Sequence, residues 1–166
     1  MIRILTETDA ENYWKLRLEA LQKNPEAYVT TYEEAIQKKE PIKQAAQNLQ
    51  AEDNYTFGAF DEKNSLVGIV TLLTESRAAL RHKGHIVGMY VSFQSRGRGY
   101  ARNLIQEIVK KAKTLNIEQI GLSVVSDNIA AKKLYHSIGF ETYGVEKKAL
   151  KIGEIYRDEE YMMLFL

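Results

Sequence analysis

The stretch that decides the fold is Val91-Ser92-Phe93-Gln94-Ser95-Arg96-Gly97-Arg98-Gly99-Tyr100-Ala101. Its two glycines leave backbone N–H groups open at the start of a helix, with no Cβ atoms in the way. A helix N-terminus also carries the positive end of the helix dipole, and Arg96 and Arg98 add positive charge. The stretch therefore predicts a binding site for a phosphorylated ligand.

The residues on either side predict a strand, a glycine turn and a helix in that order. The run from His85 to Val91 is apolar, β-branched and aromatic, as in a buried strand. Apolar residues then recur three and four positions apart from Ala101 to Leu115, which is the spacing of one helical face. A dinucleotide fingerprint would need a third glycine where Arg102 stands, and the chain has no Walker motif.

A second motif follows the next predicted strand. It predicts a short helix that Ser126 or Asp127 caps and that Gly139 ends in the left-handed conformation. Asn128 and Tyr135 are polar residues on the side of this helix that otherwise looks inward. Tyr135 could have a chemical role, or it could be a structural residue that covers the core.

Together the two motifs resemble those of the GNAT family of acyl-CoA-dependent N-acetyltransferases. The matching residues are Gln94-x-x-Gly97-x-Gly99-Tyr100-Ala101 and Asn128-x-x-Ala131-x-x-Leu134-Tyr135-x-x-x-Gly139-Phe140, in the family's order and separation. The resemblance implies an α/β fold (α+β in some schemes), with a mixed, mostly antiparallel twisted sheet and helices on both faces. It also implies one N-acetyltransferase domain over residues 1–166.

The same resemblance implies how acetyl-CoA, the co-substrate, would bind. Backbone groups of the strand would pair with pantetheine, the glycine loop would bind the pyrophosphate, and the second motif would contact the pantetheine arm and the sulfur. The implied residues are Met89, Tyr90, Val91, Arg96, Gly97, Arg98, Gly99, Tyr100, Ala101, Asn128 and Tyr135.

Acetyl transfer to an amine places demands on the remaining side chains. An alkylamine has a pKa of about 10, so a base or a water chain must remove its proton before it can attack. Candidates for the base are Glu75, His85, Tyr90 and Glu154, with Glu75 as the working choice, and each also has an ordinary structural explanation. Tyr135 would act as general acid, because a tyrosine keeps its proton at neutral pH and can give it to the departing sulfur.

Composition excludes several other classes of protein. The chain has 166 residues, of which 45% are hydrophobic and 27% charged, as in a globular domain. It has no cysteine, which excludes a disulfide framework, a thiolate metal site and a cysteine nucleophile, and we predict no metal. It shows no membrane-length apolar stretch, no signal peptide and no strong basic footprint. These features predict a cytoplasmic enzyme with neither a membrane nor a nucleic-acid partner.

The acceptor is predicted only as an amine of a small molecule or peptide. Residues 1–80 are more acidic than basic and residues 81–166 the reverse, which favours a cationic amine, although ordinary scatter of surface charge explains this equally well. The candidate pocket aromatics are Trp14, Tyr28, Tyr32 and Tyr156. The apolar end of the chain, 161–166, predicts a buried strand or, alternatively, the edge of a homodimer.

Three alternatives stay open. The same fold could use another acyl donor or an oxygen acceptor. It could also serve as a CoA-binding sensor or partner-binding domain without turnover. An unrelated phosphate-binding protein is the third, and the second motif disfavours it.

The rest of the chain predicts further elements of an ordinary mixed fold. These are a strand at Ile2–Leu5, a helix opened by a Thr8–Glu11 capping box, a helix start at Thr30 or Thr31, a helix ending near Gln50, a hairpin of Tyr55–Phe60 with Leu66–Thr74, a strand at Gln119–Val125, and final strands near Glu141–Leu150 and Glu154–Phe165.

Overall fold

One seven-stranded sheet organises residues 1–166, all of which the computed structural model describes. The strands are β1 (Ile2–Ile4), β2 (Asn54–Phe60), β3 (Leu66–Thr74), β4 (Lys83–Val91), β5 (Gln119–Val125), β6 (Glu141–Ile152) and β7 (Ile155–Phe165). The helices are α1 (Ala10–Lys23), α2 (Tyr32–Ile36), α3 (Pro41–Gln50), α4 (Tyr100–Thr114) and α5 (Ile129–Ile138). The strands lie in the order β1-β2-β3-β4-β5-β7-β6, and only β4 and β5 run parallel. The mixed, mostly antiparallel sheet predicted from the sequence is confirmed.

Two hydrophobic cores form where helices cover the sheet. The apolar stripe of α4 packs into the larger core, which also includes residues of β2, β3, β5 and α5. Helices α1 and α3 contribute to the second core, together with Phe60, Ile69 and Tyr90. Leu104, Ile105 and Ile108 are completely buried, so each contributes about 1.5–3 kcal/mol of hydrophobic stabilisation.

The parallel pair is the part of the sheet that positions the site. Strand β4 runs into the glycine loop, and α4 carries the chain back so that β5 can lie beside β4. Parallel neighbours need such a crossover connection. The loop and the start of α4 therefore lie beyond the carboxyl end of β4, where open α/β sheets bind their ligands.

The start of α1 differs from the prediction. The capping box uses Thr6 and Asp9 instead of Thr8 and Glu11, and a 3₁₀ turn at 7–9 precedes the helix. Asp9 takes this role because two hydrogen bonds from the Arg3 guanidinium, at 2.7 and 2.8 Å, hold its carboxylate. Glu11 instead faces outward.

At the other helix starts, Thr31 caps α2 in the predicted capping box with Glu34. Helix α5 is capped by Asn128 and not by Ser126 or Asp127, since Asp127 accepts a hydrogen bond from Arg157 at 2.6 Å.

The apolar carboxyl-terminal segment is an interior strand. Strand β7 lies between β5 and β6, and Met162 is fully buried. The sheet edges are β1 and β6, so β7 forms no sheet edge, while Phe165 at its end is 74% exposed. A homodimer contact at 161–166 stays a prediction. None of the helices combines the length and the apolarity of a membrane span.

Candidate active site

A gap between β4 and β5 creates the site. The two strands pair only where Lys83–His85 lies beside Gln119–Gly121. Beyond His85 they separate, while β4 stays hydrogen-bonded to β3 through a β-bulge. Gly88 lies in this bulge with a φ of 64°, a conformation that favours glycine. One edge of β4 therefore has no strand partner and lines a cleft.

The cleft has a volume of about 840 Å³ and gathers most of the predicted cofactor-binding residues. Those that line it are Met89, Tyr90, Val91, Arg96, Gly97, Gly99, Tyr100, Ala101, Asn128 and Tyr135. Arg98, the remaining one, is exposed and does not line the cleft. Arg102 does line it, and its guanidinium donates to the Ser137 hydroxyl at 2.6 Å. Sequence reasoning noted Arg102 only as the missing third glycine of a dinucleotide motif.

The glycine loop fits a phosphate group. Gly97 and Gly99 have φ angles of 76° and 82°, and a Cβ on either would meet nothing within 4 Å. Helix α4 begins immediately afterwards, and no side chain caps its first N–H groups. Open backbone donors at a helix N-terminus are a ready anion-binding site.

Arg96 adds positive charge to the glycine loop and also stabilises it through hydrogen bonds. Its Nε donates to the Val91 carbonyl at 3.1 Å, and its Nη2 donates to Asn24 Oδ1 at 2.8 Å. The guanidinium also lies 5.7 Å from the ring centre of Tyr90 and 5.5 Å from that of Phe93. Arg96 therefore links the loop after α1 to the glycine loop.

Two carbonyl groups on the open edge of β4 already accept hydrogen bonds from side chains. The Tyr28 hydroxyl donates to the Met89 carbonyl at 3.0 Å, as Arg96 does to the Val91 carbonyl. Each carbonyl keeps a second lone pair for a ligand amide. Tyr90 is buried in the core beside α1, and its hydroxyl donates to Glu19 at 2.9 Å, which argues against a role as base.

Asn128 and Tyr135 project from α5 into the cleft. Asn128 Oδ1 accepts from the Ala131 N–H at 3.2 Å, which leaves its amide N–H groups free to donate to a ligand. Tyr135 is 6% exposed, and its ring meets Phe140 edge-on with 5.7 Å between the ring centres. Burial raises the pKa of Tyr135, so the hydroxyl is protonated at neutral pH.

A second cavity of about 310 Å³ opens on the other side of these residues. The residues that line both spaces are Ala27, Tyr28, Met89, Val125, Asn128, Ala131 and Tyr135. Tyr28 is the one predicted pocket aromatic found here, since Trp14, Tyr32 and Tyr156 line neither space. Tyr135 therefore contributes to both cavities.

The structure does not bring Glu75 to either cavity. Glu75 follows β3 and accepts two hydrogen bonds from Arg77 at 3.0 and 2.8 Å, and these lower the pKa of its carboxyl. Glu154 lies in the exposed β6–β7 turn, 3.8 Å from Lys151. Their positions therefore do not support either carboxylate as the base.

Two other titratable groups do line the second cavity. His85 stands where β4 and β5 separate, and partial desolvation in the cavity lowers its pKa, which favours the neutral ring at pH 7. Glu159 on β7 was missed from the sequence, and burial, followed by repulsion from Glu146, raises the pKa of its carboxyl. A run of charged residues, 157–160, inside an otherwise apolar strand was the signal that could have drawn attention to it.

Comparison with known proteins places this fold and site in a family. The sequence profile of the acetyltransferase (GNAT) domain matches residues 2–161, so the chain belongs to the GNAT family of acetyltransferases, whose co-substrate is acetyl-CoA. The L-amino acid N-acetyltransferase AaaT of Escherichia coli is 35% identical over 99 residues, which are 58% of this chain and 60% of that protein. This chain therefore matches less than two thirds of that relative's length.

Solved structures show the same fold. A probable acetyltransferase from Staphylococcus epidermidis is 29% identical with a TM-score of 0.81, covering 99% of this chain and 98% of that chain. YncA from Salmonella typhimurium, solved with its cofactor acetyl-CoA, has a TM-score of 0.84 at 17% identity, covering 99% of this chain and 92% of that chain.

Proposed function

We propose that the protein is an acetyl-CoA-dependent N-acetyltransferase, one domain over residues 1–166, that transfers acetyl directly to a primary amine of a small molecule or peptide. The observation that carries this proposal is that Tyr135 lines both cavities. One cavity is lined by the glycine loop, which we call the phosphate loop (Arg96–Gly99), and by the open edge of β4. The other, which we call the acceptor cavity, is lined in part by the titratable residues Arg17, His85 and Glu159. A donor thioester and an acceptor amine would therefore meet beside a proton donor.

The chemistry follows from this arrangement. His85 or Glu159, directly or through water, would take one proton from the ammonium group, because only the neutral amine attacks. The nitrogen then bonds to the acetyl carbon and the carbon–sulfur bond breaks. A backbone N–H of β4 near Tyr90 or Val91 would stabilise the oxyanion. Tyr135 would protonate the departing thiolate, and the second proton lost by the nitrogen restores the tyrosine, so the products are an N-acetyl amine and free CoA.

A sensor without turnover is the alternative, and the position of Tyr135 favours catalysis. Its hydroxyl has no hydrogen-bonding partner within the protein, and the residue lines both cavities, which a purely structural tyrosine does not require. The name of the E. coli relative adds free amino acids to the acceptors worth testing.

Calorimetric titration with acetyl-CoA, with AMP and NAD as controls, tests the donor site. We expect micromolar binding of acetyl-CoA alone, followed by release of CoA thiol when amines are added. Because the chain has no cysteine, thiol release is read without background from the protein. Absence of binding at millimolar acetyl-CoA would refute the donor site, and binding without release for any amine would favour the sensor.

We further propose a cytoplasmic location, because the co-substrate is acetyl-CoA. A homodimer stays a prediction, and size-exclusion chromatography with light scattering would test it.

A further inference from the structure

Arg17 is an unpaired cation at the acceptor cavity. It lies on α1 and lines this cavity together with Tyr28, whose ring centre is 4.6 Å from the guanidinium carbon. Its Nη1 is shielded from solvent and has no hydrogen-bond partner. None of the chain's salt bridges includes Arg17. A shielded N–H group normally has a hydrogen-bond acceptor, so Nη1 of this half-buried arginine has unused capacity to bind an anion.

Glu159 supplies the opposite charge in the same cavity. It is half-buried on β7, opposite Val125 of β5, and it takes part in no salt bridge. The neighbouring Glu160, by contrast, is paired with Lys132 at 2.6 Å. Successive residues of a strand point to opposite faces, which explains why the two glutamates have different surroundings.

We infer that the acceptor is a small zwitterion of the α-amino acid class, with its carboxylate bound by Arg17 and its ammonium group held by Glu159. This inference rests on the proposed function and names the substrate class of that site. The arginine fork matches a carboxylate with two parallel hydrogen bonds. Glu159 would hold the amine until it loses its proton and attacks the thioester beside Tyr135.

The size and lining of the cavity agree with such an acceptor. Its volume of about 310 Å³ is at the small end of ligand sites, which suits a single amino acid better than a peptide. Val87, Leu122 and Val124 line it as well, so an apolar side chain would find apolar contacts. A polyamine would bring a second positive charge toward Arg17, which would repel it. The cavity therefore disfavours the polycationic acceptors that the overall charge distribution suggested.

Matched acceptors test the carboxylate. L-Leucine, L-leucinamide and 3-methylbutylamine share a side chain and an amine, but only leucine carries a carboxylate. We expect kcat/KM for leucine to exceed that for either other amine by about 10–100-fold, the effect of charge-assisted hydrogen bonds. Titration of leucine into protein saturated with CoA should show the same preference without turnover.

Arg17→Gln should raise the KM for leucine by about 10–100-fold, abolish the preference over leucinamide and leave the KM for acetyl-CoA within about twofold. Arg17→Lys keeps the charge but loses the fork, so we expect an intermediate loss. Lys15→Gln, which removes an exposed cation from the same helix, should change neither constant. Glu159→Gln should raise the KM for all three amines, and Glu141→Gln, an exposed carboxylate on β6, should not.

The inference is overturned if leucine and leucinamide are equally good acceptors, or if Arg17→Gln keeps the preference for leucine. Transfer to other amines would still occur in that case, and the proposed function would stand. If acetyl-CoA binds but no amine is acetylated, the proposed function fails and the inference fails with it. Thermal unfolding confirms folding of each variant, and Arg17→Gln should fold because it removes no internal hydrogen bond.

Discussion

Replacing Tyr135 with phenylalanine separates catalysis from binding in this protein. The change removes one hydroxyl that burial keeps protonated and that has no hydrogen-bonding partner in the chain. The ring keeps its edge contact with Phe140. We therefore expect the free energy of unfolding to change by less than about 1 kcal/mol, since no internal hydrogen bond is lost.

The effect on turnover should be much larger. A positioned general acid contributes about 10²–10⁴-fold to rate, which corresponds to about 3–5 kcal/mol in the activation barrier. Tyr135→Phe should therefore lower kcat about 100-fold or more while the Kd for acetyl-CoA, measured by calorimetry, stays within about twofold. In the wild-type protein, the acid form persists below the raised pKa of Tyr135, so activity should not fall between pH 7 and pH 9 through loss of this proton.

CoA thiol release at saturating acceptor measures the change. Tyr143→Phe is the matched control, because that tyrosine is 65% exposed on β6 and lines neither cavity. A Tyr135→Phe variant that binds acetyl-CoA normally and retains more than about a third of the wild-type kcat would refute the acid role, since a general acid is worth far more than this factor.

Two further predictions concern the phosphate loop and the amino-terminal ion pair. Gly99→Ala and Gly153→Ala both place a side chain at positive φ, so each should destabilise the fold by about 1–2 kcal/mol in urea unfolding, but only Gly99→Ala should weaken acetyl-CoA binding. Equal binding by the two variants would contradict the role of the loop. Asp9→Asn should cost about 1–3 kcal/mol, because it removes the charge that Arg3 pairs with. Arg3 lowers the pKa of Asp9, so the stabilisation is present above the unfolded-state pKa of about 4 and is lost as pH falls through the lower folded value. Urea unfolding at pH 7 and pH 3 should show the difference between wild type and variant shrinking at the lower pH, and a constant difference would exclude this pair as its source.

Local sequence patterns predicted helices, turns and helix ends well where a residue type has one dominant structural role. The apolar spacing of α4, the glycines at 97 and 99 and the left-handed end of α5 at Gly139 all occur as predicted. Capping residues were less predictable, because several polar side chains compete for each helix start. Asp9 is held by Arg3, and this contact moved the capping box.

The sequence by itself determined the order of strand, glycine loop and helix, and with it the residues of the proposed donor site. Those features depend on periodicity and on glycine conformations, which act over a few residues. Only the tertiary structure brought together the residues of the proposed acceptor site, since Arg17, His85 and Glu159 come from three elements far apart in the chain. Strand register turns Glu159 toward the cavity and its neighbour toward a lysine, and no local pattern determines that register.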